Sequence, residues 1–217
     1  MLYMIRKVYD MLQPNLHAHV LTIDKADKDR VYLELKEKSP MFMRQVAQSF
    51  VSLESLNTTL PGYMIDDKGT LLSLDLLTKS PDIHVFKNSK MVQDFALDDK
   101  GLQDLFMTPM SCGIDTSLSL TKGEHTSSLL KNYRETCVIQ PLAGELTLYL
   151  FNPKHEKDIK GLHLKNTKKW GIKLVITQDS ILYIPPEWFY FYESKDLSLV
   201  GTIECDEYLT YLYNLLR

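Results

Sequence analysis

The chain has 217 residues, 44% hydrophobic and 24% charged, enough for one large domain with a true core and too apolar for a disordered polymer. A net charge of −3 gives no global attraction to nucleic acid or anionic membrane, and no stretch approaches the roughly eighteen consecutive apolar residues of a membrane span. Three cysteines without a C-x-x-C pair exclude a disulfide scaffold and point to a reducing compartment, cytoplasmic or nuclear; MLYMIRKVYDML, broken by Arg6, Lys7 and Asp10, is not expected to be a secretory leader.

Leu2, Ile5, Val8, Tyr9 and Leu12 have helical spacing and predict a short helix ending before Pro14. HAHVLTI and RVYLEL alternate with period two around DKADKD and predict a hairpin. Ser39 followed by Pro40 is a helix-start signal, and Phe42, Val46, Phe50 and Leu53 continue it as one buried stripe. YMI and TLLSLDLL flank DDKG as a second hairpin, and DIHVF is a short strand. SKMVQDFALDDKGLQDLF reads as one interrupted helix or two, with Gly101 at the interruption.

From Met107 onward the texture is that of strands: TSLSLT, ETCVIQPL, ELTLYLF, KLVIT, ILYI, WFYFYES and LSLVGTIE. DEYLTYLYNLLR closes the chain as a helix with Tyr208, Leu212 and Leu215 on one face. So many short, evenly spaced strands predict a mainly β fold, a small barrel with helical decoration. Residues 1–110 are the decoration and 111–217 the barrel with its last helix.

SILYIPPEWFYFYES, Ser180 to Ser194, packs two prolines and a row of aromatic residues into one window. The prolines cannot donate to a sheet ladder, so they mark a corner between strands, with Trp188 placed to plug the barrel end. The Tyr-Ile-Pro-Pro-x-Trp corner, preceded by Asp179 and followed by an aromatic strand, resembles the cupin-like Jumonji C (JmjC) hydroxylases, whose fold is a double-stranded β-helix. PLAGELTLYLFNP is similar to that family's strand after a glycine turn, and the two matches span about half of the chain.

The resemblance implies an Fe(II) held by two histidines and a carboxylate, with 2-oxoglutarate beside it. The first ligands would come from a His-x-Asp or His-x-Glu and the third from the position where Tyr190 stands. None of the six histidines is followed two residues later by Asp or Glu, and none lies after His163. The expected place for the pair offers Ser119 and Thr121, and the cosubstrate anchor, counted from Gly144, is Leu146. Metal ligands and anchor are absent, so neither metal nor cofactor is expected.

Other groups carry less. His17 and His19 share a strand face but lack a third ligand and read as a surface pair. His125 beside Glu124 could serve acid–base chemistry if buried, and reads as part of a polar loop. Cys137 reads as a buried structural thiol. LKNTKKW, from Leu164 to Trp170, reads as a solvated basic face, and Glu187 and Glu193 as a solvated rim. Alternation puts Trp188, Tyr190 and Tyr192 on one face of their strand and Phe189 and Phe191 on the other. That row either fills the barrel interior or, with Tyr183, lines a surviving small-molecule pocket.

The expected function is therefore a catalytically inactive cupin/JmjC-like module that binds another protein or itself, with Tyr208, Leu212 and Leu215 packed against the barrel or a second subunit. The alternative is an Fe(II)/2-oxoglutarate-dependent hydroxylase or other oxygenase with atypical ligands. Nucleic acid and membrane are not expected partners.

Overall fold

The computed structural model describes residues 13–25, 27–45, 62–67, 70–73, 83–95 and 100–216. It is mainly β. The strands are β1 (Leu21–Ile23), β2 (Met41–Arg44), β3 (Met64–Asp67), β4 (Thr70–Ser73), β5 (Ile83–Asn88), β6 (Ser111–Lys122), β7 (His125–Thr126), β8 (Leu130–Lys131), β9 (Thr136–Ala143), β10 (Leu146–Phe151), β11 (Ile172–Ile176), β12 (Ser180–Ile184), β13 (Phe189–Ser194) and β14 (Ser198–Glu207). The helices are α1 (Lys28–Glu37), α2 (Ser89–Asp94), α3 (Lys100–Phe106), the single turns α4 (Glu156–Ile159) and α5 (Leu164–Thr167), and α6 (Tyr208–Leu216).

One sheet runs β1-β2-β12-β9-β14-β6-β5, the other β11-β10-β13-β7 with β8 also on β13; β3 and β4 form a separate hairpin. All pairs are antiparallel except β1 with β2. Both sheets are open. Their strands therefore form two sheets around a shared core rather than the closed ring of the expected barrel.

Alternation builds three layers from two sheets. On β12, Leu182 and Ile184 point into the inter-sheet core, while Ile181 and Tyr183 point outward among Val31 of α1 and Leu102 and Phe106 of α3. On β13, Trp188, Tyr190 and Tyr192 point inward; Phe189 and Phe191 point outward to Tyr149, Phe151 and Ile159. Residues 1–110 supply β1, β2 and β5 to the same sheet as the later strands, so the two segments share one core. Gly144, between β9 and β10, has φ +76°, and a Cβ there would lie 2.4 Å from the Leu197 carbonyl oxygen, so the turn requires glycine.

Three sequence expectations are corrected. RVYLEL lies in α1, not in a hairpin strand: Asp27 caps the helix by accepting from the Asp29 amide, and Lys38 ends it in the left-handed region. Ser39-Pro40 starts no helix. Phe42 instead lies on β2, facing the inter-sheet core while Met41 and Met43 face α1 and α3. The YMI/TLL hairpin and the DIHVF strand form as expected. SKMVQDFALDDKGLQDLF is two helices, with Gly101 in the first turn of α3 and not at the break. The helix expected over Leu2 to Leu12, and the stripe residues Val46, Phe50 and Leu53, lie outside the described residues.

Candidate functional site

The inter-sheet space around Tyr190 is full. Trp188, Tyr190 and Tyr192 meet Leu146, Leu148 and Leu150 from β10, and Cys137, Ile139, Leu182, Ile184 and Val200 from the opposite sheet. Tyr190 is only 2% exposed. Its hydroxyl lies against the Cys137 thiol, which also meets the Glu204 carboxylate, and Glu204 pairs with Lys87 at 2.6 Å. Burial, followed by the nearby Cys137 and Glu204, pushes the Tyr190 phenol well above its ordinary value; burial likewise raises the Cys137 thiol. Both stay neutral, so Cys137 is a packed hydrogen-bonding group and not a nucleophile.

Beside this thread lies a group of hydroxyls. Thr121 Oγ1 bonds the Ser194 and Ser198 hydroxyls, Ser119 Oγ accepts from the Lys87 amide at 3.0 Å, and Ser127 Oγ accepts from the Tyr192 amide at 3.0 Å. The Tyr192 hydroxyl faces Ser119 without a hydrogen bond of normal geometry, and burial pushes its phenol up to about 12. His125 lies on β7, half-buried and not in a polar loop, with its ring stacked on that of His84 from β5 at 3.7 Å. Its Nε2 is sealed from solvent without a partner.

These residues do not fit an Fe(II) and its 2-oxoacid. Such a centre needs imidazole and carboxylate, whereas the residues here are the Tyr190 phenol against Cys137 and the hydroxyls of Thr121, Ser194 and Ser198 bonded to one another, and Leu146 is fully buried and has no charge to offer. Among the described residues no group of three or more His, Cys, Asp or Glu could hold a metal ion.

The corner between β12 and β13 is held by Asn132, itself 2% exposed. Its side chain donates to the Ile184 carbonyl at 2.8 Å, its carbonyl accepts from the Glu187 amide at 2.7 Å, and its amide donates to the Trp188 carbonyl at 2.9 Å. These bonds stand in for the ladder that Pro185 and Pro186 cannot make, and they hold Glu187 at φ +68°. Glu187 and Glu193 are ion-paired with Lys131 and Lys168, at 2.5 and 2.6 Å. His17 and His19 are both exposed.

Tyr183 is not with the other three aromatic residues of the expected pocket. It faces the far side of the first sheet, where its hydroxyl donates to the Glu135 carbonyl at 3.4 Å beside a cavity of about 330 Å³. Tyr208, Leu212 and Leu215 are 57%, 41% and 64% exposed, so the face they share on α6 does not pack against its own chain's sheets. α6 is held instead through Asn214, which donates to Asp206 and the Tyr133 carbonyl, and through Tyr211 against Gly113.

Sequence reading missed Lys87, Glu204 and His84, and the Arg134–Asp206 ion pair of 2.7 Å. Only Glu204 left a signal: it shares the parity of Val200 on β14 and so falls on the inward register. No protein-family model matches the chain, and no curated protein matches it in sequence.

Proposed function

We propose that the chain is a catalytically degenerate cupin/JmjC-like double-stranded β-helix protein that works as a protein-binding or structural module. The strand order supports the fold. β12-β9-β14-β6 and β11-β10-β13-β7 make two facing four-stranded rows, and the chain changes sheet between β9 and β10, β11 and β12, β12 and β13, and β13 and β14. An eight-stranded double-sheet jelly roll has this character.

The observation that carries the loss of catalysis is Tyr190, a buried phenol bonded to Cys137 where the resemblance calls for a histidine. Binding is supported by the apolar face of α6, which the described residues leave exposed.

Anaerobic calorimetry with Fe(II) and 2-oxoglutarate together tests this reading, with no micromolar site expected. Tyr190→His should not produce 2-oxoglutarate decarboxylation, because one imidazole supplies one ligand of three. Stoichiometric iron with 2-oxoglutarate turnover in the unmodified protein would replace this reading with the hydroxylase.

A further inference from the structure

The cavity beside Tyr183 lies on the outer face of the first sheet, away from the inter-sheet core. Its lining brings aromatic rings together with carboxylates, and two lysines share it. Tyr32 of α1, Phe106 at the end of α3 and Tyr183 of β12 form the walls, and Glu135 and Glu207 reach it from the ends of β9 and β14. Phe106 and Tyr183 stack at 6.1 Å between ring centroids. Lys36, which also lines the cavity, stands with its ammonium 4.3 Å over one face of the Tyr32 ring and occupies it.

The carboxylates in this cavity are not equivalent. Asp206 is saturated by Arg134, the Glu135 amide and Asn214. Glu135 Oε2 accepts from the Glu207 amide at 3.0 Å, and Glu207 Oε1 accepts from Thr108, which leaves each carboxylate acceptor capacity. The Thr210 hydroxyl, fully buried, faces the Glu135 carboxyl but makes no hydrogen bond of normal geometry. Of the lysines at the rim, Lys38 is engaged by the Gln13 carbonyl at 2.8 Å.

We infer that this cavity binds a small organic cation, a primary or methylated ammonium, held between the Glu135 and Glu207 carboxylates with its hydrocarbon part on Tyr32, Phe106 and Tyr183. Two observations favour an organic cation over a metal ion: the aromatic walls suit an ammonium, and no metal-holding cluster occurs among the described residues. The volume suits a ligand at the small end of the usual range. Glu135 is held above the ordinary carboxylate range by burial and then by neighbouring Glu207, so a bound ammonium would favour its charged form and bind more weakly as pH falls.

The test is an NMR titration of the full chain with phenethylammonium and, in parallel, with its uncharged isostere 2-phenylethanol. Saturable shifts confined to the cavity residues are expected with the amine, with the alcohol at least about ten-fold weaker, the size of one lost charge-assisted hydrogen bond. Glu135→Gln should weaken the amine about ten-fold and leave the alcohol unchanged. Because Glu135 also supports the Glu207 amide, Tyr32→Leu on exposed α1 is the second variant, expected to weaken the amine in a chain of unchanged melting temperature. Equal binding of amine and alcohol, no saturable binding of either, or an unaltered amine affinity in both variants would overturn the site.

Discussion

His125 shows how one side chain can carry a pH signature. Burial, and then the neighbouring His84, hold its imidazole below the ordinary 6.5, so the folded chain disfavours the charged form. The unfolded chain takes up the proton first as pH falls, so this contribution is present above about 6.5 and is lost on acidification through that value. Thermal melts between pH 7.5 and 5 should show His125→Asn losing less stability on acidification than the unmodified chain. Parallel slopes for the two would mean that neither burial nor the neighbouring His84 perturbs the imidazole. Tyr190 illustrates the opposite case, a polar group made inert: its hydroxyl is committed to Cys137 inside a sealed core, and no proton moves there at neutral pH.

At the scale of elements, the corner between β12 and β13 depends on Asn132. Asn132→Ala removes a buried donor to the Ile184 carbonyl and the acceptor of the Arg134 amide, with a cost of about 1–3 kcal/mol for buried groups left unpaired. Denaturant melts should shift by that amount, and an unchanged midpoint would show that the prolines and the backbone bonds of residue 132 set the corner without its side chain. The corner was legible in the sequence because proline is confined to few places in a sheet, and so were β6 and β9 to β14 as apolar runs between turn signals, while the two-residue strands β7 and β8 were not.

α1 was not legible. Val31, Leu33 and Leu35 alternate like a strand, yet Val31 and Leu35 are also one helical turn apart, and Leu33 is 61% exposed. Only Asp27 in the cap position separates the two readings. β2 was hidden differently: Met41, Phe42 and Met43 are buried on both faces, so no polar alternation marks them. The site was least legible, because Lys87 and Glu204 are 117 residues apart and meet only through sheet order.

At the scale of the whole molecule, the open question is what covers α6. Tyr208, Leu212 and Leu215 are about two-fifths to two-thirds exposed, so covering them would contribute roughly 2–5 kcal/mol per chain, at ~1.5–3 kcal/mol for a fully buried large side chain. A second copy is the partner we expect, since a self-complementary helix face meets its own image across a two-fold axis. Deleting everything after Cys205 is a poor test, because it also removes Asp206, a fully buried carboxylate bonded to Arg134 and the Glu135 amide. Replacing Leu212 and Leu215 together by Glu touches only side chains that face water in the single chain. Light scattering at tens of micromolar should give a dimer for the unmodified protein and a monomer for the double variant. Melting curves at high dilution, where both are monomeric, should coincide within the small effect expected of exposed positions. A monomer in both at the higher concentration would mean that α6 does not pair with itself, and its apolar face would then belong to a different protein.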